Sequence, residues 1–181
     1  MVAESELNTT LTNRGLIITA SAPIYCNARY RSAWQAEALT SKGTKAQGQT
    51  FRLGGMPITY QAGLRSYVFG LMATEDNVQV QISGYNPGVV FAGTPTVTSD
   101  LLTFTLNAGE CRVYSAYSNS EANLAGVLGA LVQSSGNVVI NVGNWCGSIG
   151  NTATNQDVGA DQIVPITYLG TEHILVEGMG N

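Results

Sequence analysis

From residue 66 onward apolar runs and turns mark out strands, most plainly over residues 78–82, where apolar and polar positions alternate with a period of two. Val78, Val80 and Ile82 fall on one side and Gln79 and Gln81 on the other, the pattern of an antiparallel strand with one face buried. Residues 67–73 form another apolar run ahead of the turn Thr74-Glu75-Asp76-Asn77. After a loop marked by Asn86-Pro87-Gly88 and Gly93-Thr94-Pro95 come residues 102–106, the turn Asn107-Ala108-Gly109-Glu110, and residues 111–117. Runs rich in β-branched and aromatic residues between such turns predict strands. Two hairpins in succession predict a four-stranded unit.

A stretch near the start returns near the end. Residues 15–27 and 129–141 each read as a short apolar run, a small polar turn and a second apolar run, and Gly48-Gln49-Thr50-Phe51-Arg52-Leu53 is answered by Gly170-Thr171-Glu172-His173-Ile174-Leu175. The echo predicts a repeated β-module with strands near 16–20, 24–30 and 50–53 in its first copy. Residues 33–39 are open to a short helix instead. The predicted fold is all-β and antiparallel, of four-stranded hairpin units arranged as a sandwich or as blades of a propeller-like array, the first and third modules being pseudo-repeats. The expected segments are a lead-in over 1–14 and modules over 15–65, 66–118 and 119–181. Three units are too few to close a propeller.

With 181 residues, 44% of them hydrophobic, the chain is long enough for one full core. Only 11% are charged, while Ser, Thr, Asn and Gly abound, which suits an extracellular β-protein. All eight basic residues precede Val113, and the part beyond Arg112 carries only acids: Glu121, Asp157, Asp161, Glu172 and Glu177. Nucleic acid is a poor partner for such a face, because phosphate binding needs clustered cations. No apolar run reaches the roughly 20 residues of a membrane span, so no membrane insertion is expected of this segment. The start lacks the pattern of a signal peptide. The reading favoured is a fragment of a longer exported chain over a cytoplasmic protein.

The order of several short motifs adds a family resemblance. Pro23-Ile24-Tyr25-x-Asn27-x-Arg29-x-Arg31-Ser32 is followed by Leu39-Thr40-Ser41-Lys42-Gly43, Phe51-Arg52, Ala73-Thr74-Glu75-Asp76-Asn77, Leu106-Asn107-Ala108-Gly109-Glu110, Asn141-Val142-Gly143-Asn144-Trp145 and Asp161-Gln162-Ile163. This series resembles the N-terminal domain of IgGFc-binding-protein-like sequences, as found in large gliding-motility or adhesin-like surface proteins of Bacteroidota exported by type IX secretion. The resemblance implies an all-β extracellular module of a multidomain adhesin with no assigned catalysis. The pattern departs at Ala160, where the family carries a second Cys after the one resembling Cys146, and at Cys26, where it has an aliphatic residue.

Candidate chemistry is sparse. Arg29, Arg31, Trp34 and Glu37 offer a ligand-binding patch, since guanidinium groups hold acids and an indole stacks on sugars. The alternative has the arginines exposed on a strand and paired with the acidic third module, with Trp34 closing the core edge. Glu75, Asp76 and Asn77 read as a turn, with a calcium site as the rival; the loop lacks the alternating ligands of a calcium loop. Cys26, Cys111 and Cys146 allow at most one internal disulfide, pairing unassigned, and none has zinc spacing. The single histidine, His173, falls in a predicted strand with no GxSxG elbow to serve. No catalytic residue, metal or cofactor is expected. The expected function is a structural and adhesive module that mediates attachment or assembly through exposed loops and strand edges. Its partners would be neighbouring domains, sister copies, glycans or a host or substratum surface. The rival is a carbohydrate-acting hydrolase domain, which needs two opposed carboxylates in a cleft.

Overall fold

The computed structural model describes residues 2–31, 35–58, 61, 65–147 and 157–174. The protein is all-β and antiparallel. Its strands are β1 (Asn27–Arg31), β2 (Ala36–Thr40), β3 (Gly48–Arg52), β4 (Ser66–Ala73), β5 (Val78–Ser83), β6 (Leu102–Leu106), β7 (Cys111–Tyr117), β8 (Leu131–Gly147) and β9 (Asp157–Ile163). A single turn of helix, α1 (Ala122–Ala125), falls within the connector after β7. No helix among the described residues is long and apolar enough to cross a membrane.

The 17-residue strand β8 organises the molecule. Its first part pairs with β5 on one edge (Val80 with Ser134, Ile82 with Val132) and with β3 on the other (Phe51 with Val132). Its later part pairs with β4 (Ser66 with Trp145 through Ala73 with Val138) and with β9 (Ile163 with Ile140). β6 extends the first half beyond β5, and β7 extends the second beyond β4. The two halves, β6-β5-β8-β3 and β7-β4-β8-β9, share β8 and form one sheet that curls until it is nearly closed. Strands from all three expected modules take part in it.

The two expected hairpins give way to this bending. β4 and β5 run on in one direction along β8, and β6 and β7 do the same along β5 and β4. The turn at 74–77 is therefore a corner where one long ribbon changes halves. The repeat suggested by the echo also dissolves: residues 15–26 form no strand and are largely exposed, whereas 131–141 belong to the unbroken β8. Residues 170–174 are exposed and without strand structure, unlike β3, so His173 is not in a strand. The helix considered for 33–39 is replaced by β2 from Ala36 onward.

Alternation places the core as the sequence predicts. Val78, Val80 and Ile82 are buried, as are Phe69 and Leu71 of β4 and Val138, Ile140 and Val142 of β8. The wrapping of the two halves is filled by an aromatic cluster. Phe69 stacks on Tyr114 at 5.1 Å, and Phe91, from the long loop between β5 and β6, meets Tyr114 edge-on at 5.5 Å and Tyr85 at 5.4 Å. Asn123 of α1, fully buried, pins that loop by accepting from the Val90 amide and donating to the carbonyls of Val90 and Tyr117.

Candidate functional site

The inward positions of β7, β4, β8 and β9 build the core, so their alternate positions form an outer face. On it Gly70 lies beside Val113 and Asn141, and Asn141 beside Gln162; in the next rank Val68 lies beside Gly143, and Gly143 beside Ala160. Met72, Val139, Trp145 and Val158 complete a mostly apolar strip. Glycine at two of these floor positions leaves a depression, and the groove over it measures about 540 Å³.

Two segments wall this groove. The first is the ribbon of β1 and β2, whose Leu39 lines the cavity. The ribbon is fastened to β9 by several contacts: Gln162 Oε1 accepts from the Lys42 amide (2.6 Å) and the Ser41 hydroxyl (3.3 Å), Lys42 Nζ pairs with Asp161 (2.9 Å), and Gln35 Oε1 accepts from the Val158 amide (2.9 Å). Tyr30 also meets Trp145 edge-on, with centroids 6.4 Å apart. The second wall is the lead-in. Leu11 forms a bridge to Cys111, and Gly15 sits so close over Met72 that an added Cβ would lie 2.2 Å from its sulfur. Between the two walls the chain carries Leu16, Ile17, Ile18, Ile24 and Tyr25, each more than half exposed.

The groove is weakly charged. Arg14 is the one charged side chain among its described lining residues, and it bonds Glu6 Oε1 at 2.5 Å. The Ala3 amide, and then the Arg14 guanidinium, hold the Glu6 carboxyl below its ordinary value. Burial pushes the Cys111 thiol up, which keeps it neutral and unreactive.

Of the described residues singled out in sequence, Cys111 lines the groove, whereas Arg29, Arg31, Glu37, Glu75, Asp76, Asn77, Cys26 and Cys146 are not among its lining residues. Arg29 and Arg31 lie on one exposed face of the ribbon, opposite Ala38 and Ala36, with Arg29 Nε donating to Asn27. Glu37 lies opposite Tyr30, on the other face of the ribbon, so the structure separates it from the two arginines. Trp34 lies outside the described residues. Among the described residues, Lys42 joins the first segment to the acidic third through Asp161.

At the corner between β4 and β5 the polar groups serve the backbone. Glu75 accepts from the Asn137 amide (3.1 Å) and Asp76 from the Ala108 amide (3.0 Å), while the Asn77 amide donates to the Asn107 side chain (3.1 Å). Asn77 has the positive φ of 56° that the turn reading requires. Among the described residues no three His, Cys, Asp or Glu side chains converge as metal ligands. Cys26, Cys111 and Cys146 are all free thiols. His173 is exposed, 3.1 Å from the Gly170 carbonyl.

Sequence reasoning missed the groove because its floor comes from alternate positions of four strands scattered between 68 and 162. Asn141, Gly143 and Gln162 stand in two of the motifs that carry the family resemblance, but neither motif tells that they lie side by side on one face.

The IgGFc binding protein family matches residues 37–181. No curated protein and no solved structure matches the chain. The family match takes in the whole curled sheet and the Leu39 wall of the groove, so this chain belongs to the IgGFc binding protein family.

Proposed function

We propose that this chain is an extracellular binding module that holds an extended segment of a partner protein in the groove over β4, β8 and β9. The observation that carries this reading is the groove itself. It is a solvent-open, mostly apolar strip flanked by five exposed large apolar side chains, and contiguous exposed apolar surface of this kind marks interaction sites. A glycine floor suits an extended backbone, which needs close approach more than deep pockets. The family name points to a protein partner, the Fc part of IgG, as the first probe to use.

In a surface protein such a module serves attachment or assembly, with the exposed edge of β6 as a further place for a neighbouring copy to join. Export by the type IX route and a place in a gliding or adhesin-like protein belong to this same reading, on the strength of the sequence resemblance. The Arg29 and Arg31 face of the ribbon, next to the groove, supplies the cationic contact for acidic groups on a partner.

The test is surface plasmon resonance of the chain over immobilised IgG Fc, with Gly70→Leu as the variant. A Cβ at Gly70 meets nothing closer than 3.4 Å, so a side chain can start there without a backbone clash and extend into the groove, and an unchanged circular dichroism spectrum and unfolding midpoint check that the variant folds. Binding that Gly70→Leu abolishes supports the reading. Binding that Gly70→Leu leaves unchanged removes the groove as the site.

A further inference from the structure

Residues 16–25 cross from one wall of the groove to the other with little to hold them. The chain enters beside β7, where Leu11 and Cys111 exchange two backbone hydrogen bonds of 2.9 Å, and passes Gly15 over Met72 of β4. It leaves at the ribbon, where the Ser41 amide donates to the Cys26 carbonyl at 3.0 Å and Ser41 Oγ donates to Gln162 of β9. Between these anchors no backbone group from 16 to 24 bonds another described backbone group. Leu16, at the edge of the groove, is 79% exposed, and Ile17 and Ile18 after it are 63% and 53% exposed. Exposed chain with so few bonds opens and closes locally at small cost.

Two distances fit this segment to the floor below it. The anchors stand over β4 and β9 with β8 between them, so the floor that they bracket is two strand spacings, or about 10 Å, wide. Ten residues of extended chain reach about 33 Å. The segment therefore has the slack to drop onto the floor while both anchors stay in place. Along β4, Gly70 lies two residues from Met72, about 7 Å away, and Ile17 lies two residues from Gly15, the same advance. With Gly15 fixed over Met72, Ile17 is within reach of the depression that Gly70 and Gly143 leave.

We propose that residues 16–18 are a strap that folds into the groove, Ile17 over Gly70, and occupies it until a partner displaces it. Closure takes three aliphatic side chains out of water onto an apolar floor, which is favourable. A tether this short holds the strap at an effective concentration in the millimolar range, far above that of a second copy in dilute solution, so the occupant is the chain's own segment. The displacement rests on the groove being the partner site; the closure does not.

The test is disulfide trapping in the intact, partner-free chain, with Cys26→Ser, Cys111→Ala and Cys146→Ser as background. Ile17→Cys is paired with Gly70→Cys and, separately, with Val113→Cys, the neighbour of Gly70 on the floor. Circular dichroism checks each variant, so one floor position serves if the other misfolds. Ser21→Cys, on the same tether, replaces Ile17→Cys as the control. The expected result is a disulfide within one chain that forms about tenfold faster from position 17 than from position 21, through its higher effective concentration at the floor. Equal rates, no disulfide, or a disulfide joining two chains overturns the strap. On the Fc surface, Ile17→Ser with Ile18→Ser should bind about threefold tighter or more, because the open fraction of the groove rises. Affinity unchanged in that variant overturns the displacement. A chain that traps but ignores Fc keeps the strap and loses Fc as the partner, whereas one that binds Fc in the groove but does not trap loses the strap alone.

Discussion

Tyr30 and Trp145 meet edge to face, centroids 6.4 Å apart and planes at 68°. One ring stands on the β1–β2 ribbon and the other at the end of the groove floor, so this pair joins the wall to the floor. An aromatic pair of this geometry contributes about 0.5–1.5 kcal/mol beyond its buried area. Trp145→Ala should loosen the ribbon, seen as faster tryptic cleavage after Arg29 and Arg31, while Trp145→Phe keeps the ribbon protected. Unchanged cleavage in Trp145→Ala would mean that the pair does not hold the wall.

The other fastenings of the ribbon differ in strength because they differ in burial. Lys42 and Asp161 are exposed, and Lys42→Ala should change stability by less than about 1 kcal/mol. Gln162 is buried, accepts from the Lys42 amide and donates to Asn141. Gln162→Ala leaves those groups without partners and should cost about 2 kcal/mol in urea unfolding. Equal losses in the two variants would contradict this ranking.

Tyr85 supplies a pH dependence. Its phenol donates to the Ser99 carbonyl, and burial first, then the nearby Asp100 charge and Tyr114, push its pKa up to about 12. In the unfolded chain a tyrosine ionises near pH 10. The unfolded state therefore loses its proton first, and the stability that Tyr85 contributes is intact below about pH 10 and declines as pH rises toward 12. Tyr85→Phe should cost about 1 kcal/mol at pH 7 through the lost hydrogen bond, and the gap to the parent protein should close above pH 10. A gap that stays constant to pH 11.5 would refute the assignment.

At the β4–β5 corner the carboxylates serve as caps for neighbouring turns. Asp76→Ala should destabilise by about 1.5–3 kcal/mol, the range for hydrogen bonds to a charged group. Added calcium or EDTA should leave the parent protein's midpoint in place. A midpoint that rises with calcium and is insensitive to it in Asp76→Ala would restore the metal-site reading.

The sequence told strand from loop best where burial is one-sided. Val78, Val80 and Ile82 against Gln79 and Gln81 could be placed on opposite faces from periodicity alone. Pairing was another matter, because the partner of Val80 is Ser134, more than fifty residues away. Ser134-Ser135-Gly136-Asn137 has the composition of a turn, yet it lies within β8, where the pairing with β3 shifts register. There Ser134 bonds back to the Gly136 carbonyl, and the distant Glu75 carboxylate takes the Asn137 amide that a turn would have used. Leu16-Ile17-Ile18 misled in the opposite sense: an apolar run that reads as a strand stands in solvent at the rim of the groove. The groove itself depends on which alternate positions four strands bring side by side, and a linear reading holds no trace of that.

The place of β8 in the chain bears on how the protein is made. Its partners β3, β4 and β5 all precede it, and β9 follows it. During synthesis, at roughly 5–20 residues per second, these earlier strands leave the ribosome several seconds before the strand that joins them exists. Through that interval Phe69, Leu71, Val80 and Ile82 have no central partner. The pairs β4 with β7 and β5 with β6 can form earlier, but the sheet is complete only once β8 and β9 have emerged, so a ribosome stall before residue 131 leaves those pairs with open strand edges and an uncovered core.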